Sequence, residues 1–123
     1  MSSDELQRIL LANVAEVKFN RRRPKPGSPP TRRILCTNNA ELLRSPNGLL
    51  VLHYEATRKL PEFNPREKNL VITWDIFMQD YRCINADSAT IIRTIPANEQ
   101  FWAYFNEHLL AMTPTQKLAF INS

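Results

Sequence analysis

The sequence predicts an α+β fold in which a small five-stranded β-barrel follows an N-terminal helix and precedes a C-terminal helical extension. Two observations predict it: helix-capping patterns occur near both ends, and five short segments with strand patterns lie between them at hairpin spacing. With 123 residues, 43% of them apolar, the chain can bury one hydrophobic core. We therefore expect a barrel domain over residues 1–96 and a helical extension over residues 97–123, packed on the barrel.

The first part of the chain predicts a helix and a β-hairpin. Ser2 followed by Glu5 is a helix-capping signature, and apolar residues recur behind it at helical spacing. Apolar and polar residues alternate over 14–20 and again over 31–37, which predicts two half-buried strands. Four prolines in the segment 21–30 disfavour both helix and strand. We therefore expect an exposed loop that joins the two strands as an antiparallel pair.

The middle of the chain has weaker patterns. Residues 39–44 predict a short helical piece that ends at the Ser-Pro-Asn-Gly sequence of 45–48. Alternation over 50–54 predicts a short strand, and the prolines within 59–68 predict a loop.

The clearest strand pattern covers 69–78, where both faces are largely apolar, as in a central strand. Residues 79–80 are expected to turn the chain so that 81–84 pairs back. A tight turn over 85–88 and a last strand over 90–95 complete the five strands, with the short segment 50–54 counted apart from them.

Several side chains of these strands are expected in the core. We expect Phe19, Ile72 and Trp74 to share one barrel core, since each lies at an apolar phase of its strand. Cys36 and Cys83 are flanked by apolar residues on strands, and free cysteines in such places are usually small buried hydrophobes.

The C-terminal segment predicts two helices, one capped by Asn98 and one capped by Thr113 with proline behind it. The first helix carries an aromatic cluster that includes Phe101, Trp102 and Phe105. Such a helix usually covers an open end of a sheet. The alternative is an interface with another protein, because aromatic residues are enriched in interface cores.

Enzymatic chemistry is not predicted. Two glycines cannot build the glycine-rich loops that hold nucleotide phosphates. Neither His53 nor His108 has a metal-ligating residue three or four positions away, and no Cys or Ser is paired with a base in a catalytic pattern. We therefore expect no catalytic residue, no metal and no cofactor.

The positive charge is concentrated in one segment. Residues 18–33 contain seven basic residues and no acidic one. The rest of the chain contains nine basic and twelve acidic residues, a net charge of −3. All of the net charge of +4 therefore comes from this segment, which indicates an anionic partner. The seven residues are Lys18, Arg21, Arg22, Arg23, Lys25, Arg32 and Arg33.

The order of five short motifs resembles a family of small phage-encoded proteins described as SH3-like or Sm-like β-barrels and related in name to the WYL domain. The resemblance extends from Leu6 to about Ile95. The matching motifs are Leu10-Leu11, Glu16-Val17-Lys18-Phe19, Thr31-Arg32-Arg33-Ile34-Leu35-Cys36-Thr37, Leu70-Val71-Ile72-Thr73-Trp74-Asp75 and Tyr81-Arg82-Cys83-Ile84-Asn85-Ala86-Asp87-Ser88.

The resemblance implies an SH3-like or Sm-like barrel, a binding role and action in the cytoplasm of an infected bacterial host. It also marks Trp74, Asp75, Tyr81 and Arg82 as motif residues whose family role is either structural or functional. The chain departs from the family pattern because Tyr81 stands where a second Trp is usual. The loop between the first two strands is longer and more basic, and the segment 38–68 is expanded.

The functional prediction is a binding module whose basic loop engages nucleic acid, with a role in transcription or genome regulation. One guanidinium group can bind two phosphate oxygens at once, and its plane can stack on a base. The basic residues of this segment therefore suit a nucleic-acid partner. Two alternatives remain open: the loop or the aromatic helix binds a host or virion protein, or the loop only keeps the chain in solution. A membrane is not expected as a partner, because no run approaches the ~20 apolar residues of a span and residues 1–5 lack the basic start of a signal peptide.

Overall fold

The structure is a computed structural model and describes residues 1–56, 62 and 64–123. Within these ranges, none of the helices combines the length and the apolar character that crossing a membrane requires. The helices are α1 (Ser3–Ala12), α2 (Ala40–Arg44), α3 (Pro46–Val51), α4 (Glu99–Tyr104), which continues as a π-helical turn (Phe105–Leu109), and α5 (Pro114–Ile121). The strands are β1 (Asn13–Asn20), β2 (Thr31–Thr37), β3 (Leu70–Asp75), β4 (Asp80–Asn85) and β5 (Thr90–Pro96).

The five strands form one antiparallel sheet in the order β4-β3-β2-β1-β5. All five strand segments predicted around this sheet are present, and β1 and β2 form the expected hairpin. The sheet is open, because its edge strands β4 and β5 are not paired with each other. The α+β class is therefore confirmed, whereas closure of the sheet into a barrel is not.

The sheet buries both of its faces, and each face has its own apolar cluster. Phe19 packs with Leu6 and Leu10 of α1 on one face. Trp74 packs on the other face, in the cluster that contains the C-terminal helices. Ile72 is only half-buried. The prediction of one shared core for Phe19, Ile72 and Trp74 is therefore wrong, because Phe19 and Trp74 point to opposite faces of the sheet and each face has its own cluster.

Residues 50–54 do not form the predicted strand, because α3 occupies most of this segment. The Ser45 hydroxyl accepts the N–H of Gly48, and Pro46 stands at the first helical position. These local signals for a helix start outweigh the short alternation that follows them. At Gly48, a Cβ atom would lie 2.3 Å from the carbonyl oxygen of Leu43, so only glycine allows α2 and α3 to approach this closely.

Helix caps read from the sequence are present at both ends of the chain. Ser2 accepts a hydrogen bond from the N–H of Glu5, and Asn98 caps α4. Thr113 and Gln116 form a reciprocal capping box at the start of α5.

The predicted loop over 59–68 lies partly outside the described residues. Pro65–Lys68 within it form a 3₁₀ turn, and a second 3₁₀ turn, Ala86–Ser88, occupies the tight turn expected before β5.

Candidate nucleic-acid interface

The loop between β1 and β2 is closed at its base and exposed along most of its length. The N–H of Arg21 donates to the carbonyl of Pro30 at 2.8 Å, which joins the two ends of the loop. Inside it, the N–H of Ser28 donates to the carbonyl of Lys25, and Gly27 adopts a positive φ of 82° that a side chain would strain. The prolines and this turn hold the loop away from the core.

The cations of this loop differ in their surroundings. Arg22, Arg23 and Lys25 are exposed, and none of them forms an ion pair with an acidic group in the described ranges. Arg21 is half-buried, and its guanidinium donates to the side-chain oxygen of Asn122 at 2.9 Å. Three cations of the loop are therefore available to a partner, while Arg21 also ties the loop to the end of the chain.

Arg32 and Arg33 do not form a joint cluster with the loop, because adjacent residues of a strand point to opposite faces. Arg32 lies near the carboxylate of Asp75, with 3.6 Å between Nη2 and Oδ2. Arg33 instead binds Glu16 across the hairpin, with 2.6 Å between Nη2 and Oε2. Lys18 is half-buried beside Arg33 and has no ion pair among the described residues. Of the two strand arginines, Arg33 is therefore used within the sheet, where it pairs with Glu16.

Asp75 lies between Arg32 and Arg82, on the face of the sheet to which Arg32 points. Its side chain is fully buried, and its Oδ1 accepts the N–H groups of Phe77 at 3.0 Å and Met78 at 3.1 Å. Its Oδ2 lies 3.5 Å from Nε of Arg82 on β4 and 3.6 Å from Nη2 of Arg32. Asp75 and Arg82 therefore form a cross-strand ion pair, and Arg32 joins it from β2.

Burial dominates the electrostatics of this group. It raises the pKa of Asp75, although two N–H donors and the charges of Arg32 and Arg82 oppose the shift. Burial also lowers the pKa of Arg32, and repulsion from Arg82 and Arg21 adds to that effect. Two arginines therefore act on one carboxylate, and the group carries an excess of positive charge.

The loop also approaches β4. The pKa of the Cys83 thiol is raised by burial, and the charge of Arg22 opposes this shift. Arg22 is therefore close enough to Cys83 to act on it, and Cys83 directly follows Arg82. Arg82 and Cys83 point to opposite faces of β4, so this approach does not reach the Arg82 side. The loop meets the Arg32–Asp75–Arg82 group at its base instead, where Nε of Arg21 donates to the carbonyl of Thr31, the neighbour of Arg32.

The two thiols provide a direct check of the sheet. Cys36 is completely buried and its pKa is raised to about 12 by desolvation, whereas Cys83 is only half-buried. Because the thiolate is the reactive form, we expect native Cys36 to react with a thiol reagent only after unfolding. Cys83 should react natively but slowly, and faster as the pH rises towards its raised pKa. Stopped-flow labelling of Cys36→Ala and Cys83→Ala variants measures each thiol alone, and fast native labelling of Cys36 would show that the strand faces are misassigned.

A second buried carboxylate, missed from the sequence, joins the sheet to the C-terminal helices. Glu16 is 4% exposed and forms ion pairs with Arg33 and with Arg93 of β5. The Arg93 guanidinium also donates to the hydroxyl of Tyr104. The Arg33 guanidinium lies 4.4 Å from the centre of the Phe120 ring, a cation–π contact. Glu16 occupies a polar position of an alternating strand, and such positions usually face solvent. The only sequence signal that this face is covered is the aromatic C-terminal helices.

The remaining motif residues form the wall of a cavity of about 500 Å³. The Trp74 ring meets the rings of Tyr81 and Tyr54 edge-to-face, with centroids 5.1 and 5.2 Å away. Asn38 donates to the carbonyl of Ile72 at 3.0 Å on the same side. The indole nitrogen of Trp74 is buried and has no hydrogen-bond acceptor among the described residues. Trp74 and Tyr81 thus have a packing role in this fold.

The aromatic cluster of the C-terminal helix is turned inwards. Phe101, Trp102 and Phe105 are at most 7% exposed and belong to the core on the Trp74 face. Their rings are therefore not presented as a surface for a partner.

The histidines lie on the surface, where His53 is exposed and His108 is paired with its neighbour Glu107. In the part of the chain that the structure describes, no three His, Cys, Asp or Glu side chains come together as metal ligands.

Comparisons of the chain with protein-family models, with curated proteins and with solved structures find no match.

Proposed function

We propose that this chain is a non-enzymatic module that binds nucleic acid through the basic loop between β1 and β2. The observation that carries the proposal is the placement of Arg22, Arg23 and Lys25, which are exposed and unpaired among the described residues. Arg32 and Arg82 extend this positive region onto the sheet, where they share a single buried carboxylate. Arg33 is excluded from the proposed interface because it is committed to Glu16.

A phosphate backbone fits this arrangement for two physical reasons. Guanidinium forks match phosphate oxygens, and flexible exposed cations follow an irregular backbone without reading its sequence. Acidic residues are absent from 18–33, so no carboxylate of this segment competes with the phosphates. We infer binding of modest affinity and low sequence specificity.

We also propose that the fold is a relative of the SH3-like and Sm-like small barrels. Support comes from the order of the strands, the N-terminal helix and the 3₁₀ turn between β4 and β5. A phage origin, action in the cytoplasm of an infected bacterium and a role in transcription or genome regulation rest on the motif resemblance alone.

The proposal is tested with a loop variant, Arg22→Gln/Arg23→Gln/Lys25→Gln, and labelled DNA and RNA oligonucleotides. At about 50 mM salt, loss of three phosphate contacts should weaken binding by about 30-fold or more, because each contact releases condensed counterions. Fluorescence anisotropy measures the affinity. Since the loop holds no core residue, the melting temperature should stay unchanged.

The matched control is Arg8→Gln/Arg44→Gln/Lys117→Gln, on α1, α2 and α5. Both variants lower the net charge from +4 to +1, so a general charge effect would weaken both equally. Equal affinities of the loop variant and the wild type, or no binding by the wild type, would contradict the proposal. A protein partner of the loop would then become the leading candidate.

A further inference from the structure

Four polar atoms of the Arg32–Asp75–Arg82 group are buried without a hydrogen-bond partner among the described residues. They are Nε and Nη2 of Arg32, Nε of Arg82 and Oδ2 of Asp75. Buried polar groups in folded proteins are nearly always hydrogen-bonded, so four unpartnered atoms in one group require a physical explanation. Their concentration in one place indicates a site at which a further group completes the hydrogen bonding.

The distances show that the ion pairs of Asp75 with the two arginines are too long for charge-assisted hydrogen bonds. Nitrogen and oxygen lie 3.5 and 3.6 Å apart here, whereas charge-assisted hydrogen bonds between arginine and carboxylate measure about 2.7–2.9 Å. Oδ1 of Asp75 is already used by two backbone N–H groups. Asp75 therefore holds Arg32 and Arg82 in position electrostatically, but leaves Nε and Nη2 of Arg32 and Nε of Arg82 without a hydrogen bond.

The sign of the charge identifies the class of ligand. Arg32 and Arg82 carry two positive charges against one negative charge from Asp75, so the group has a net charge of +1. An anion with several oxygen acceptors would offset the repulsion between the guanidiniums and supply hydrogen-bond acceptors. The side chains of Arg32 and Arg82 are 16% and 34% exposed, so part of each is accessible from solvent, while the four atoms named above are covered.

We propose that Arg32 and Arg82 form a discrete site for one phosphate group and that, in the complex, this group is a backbone phosphate of the nucleic acid. The second part rests on the proposed function. Arg32 lies opposite the buried Phe19 in the register of β1 and β2, so the site is placed on the sheet and not in the loop. Such a site positions the backbone at one point, whereas the loop contacts it diffusely.

The first experiment uses inorganic phosphate and the wild-type chain, with chloride at equal ionic strength as the control. In ¹⁵N NMR spectra, the Nε–H signals of Arg32 and Arg82 should shift saturably with phosphate and remain unchanged with chloride. Arg82→Gln should reduce the phosphate affinity about tenfold or more, while Arg44→Gln, an exposed residue at the end of α2, should leave it unchanged. Arg82→Lys should recover only part of the affinity, because a lysine lacks the fork. Absence of saturable Nε–H shifts in the wild type, a measurement that requires no variant to fold, would overturn the site.

The second experiment asks whether the bound phosphate is a backbone phosphate. Inorganic phosphate should displace labelled oligonucleotide more strongly than chloride at equal ionic strength, and Arg82→Gln should abolish this difference. If phosphate binds at Arg32 and Arg82 but gives no such difference, the assignment to the backbone is overturned. If the oligonucleotide binds through the loop but phosphate does not bind at all, this inference fails while the proposed function stands.

Discussion

Replacing Trp74 with alanine should destabilise the protein by about 3–5 kcal/mol. The Trp74 ring is 2% exposed and packs edge-to-face on Tyr54 and Tyr81, so its removal leaves a cavity and breaks two aromatic contacts. The effect is measured by urea unfolding followed by circular dichroism. Fluorescence is not used, because Trp102 is the only tryptophan left in the variant.

Two further variants separate this packing effect from simple loss of apolar surface. Trp74→Phe keeps an aromatic ring and removes the unpartnered indole N–H, so it should lose clearly less stability than alanine does. Leu50→Ala changes a side chain of α3 that is 76% exposed and should alter the free energy of unfolding by about 0.5 kcal/mol or less. A Trp74→Ala loss no larger than that of Leu50→Ala would show that the core on this face is misplaced.

Replacing Glu16 with glutamine should destabilise the protein by about 2 kcal/mol, because Arg33 and Arg93 then lose a buried counter-charge. The figure lies below that for fully buried pairs, since the two arginine side chains are 27% and 44% exposed and water replaces part of the interaction. The C-terminal helices should loosen most, because Arg93 also holds Tyr104.

Chemical denaturation gives the loss of stability, and amide hydrogen exchange shows where it acts. Exchange should increase in α4 and α5 more than in β1–β2. Glu41→Gln on α2, which removes an exposed carboxylate, is the matched control and should change neither measurement. Uniform acceleration of exchange over the whole chain would contradict the role of Glu16 as a link between sheet and helices.

Local signals in the sequence predict much of this fold. The capping residues Ser2 and Thr113 mark helix starts that the structure contains, and alternation identifies β1 and β2 as a hairpin. The segment 50–54 is predicted incorrectly because the Ser45-Pro46 helix start is stronger than a few alternating residues. Closure of the sheet depends on long-range pairing of edge strands, to which no local pattern is sensitive.

The site is only partly predictable for the same reason. The sequence places Arg22 and Arg23 in an exposed loop, because prolines exclude that segment from regular structure. It treats Arg32 and Arg33 as equivalent, although the pleat of β2 sends one to Asp75 and the other to Glu16. Which acid meets which arginine depends on strands that are distant in sequence, and so becomes visible only in the folded chain.

The salt dependence of nucleic-acid binding tests the central claim most directly. Plotted as log K against log salt concentration, duplex DNA binding has a slope of about −0.9 for each phosphate contacted. The loop variant Arg22→Gln/Arg23→Gln/Lys25→Gln should therefore have a slope about 2–3 units shallower than the wild type. The control Arg8→Gln/Arg44→Gln/Lys117→Gln should retain the wild-type slope. The same slope for the wild type and the loop variant would contradict binding through the loop between β1 and β2.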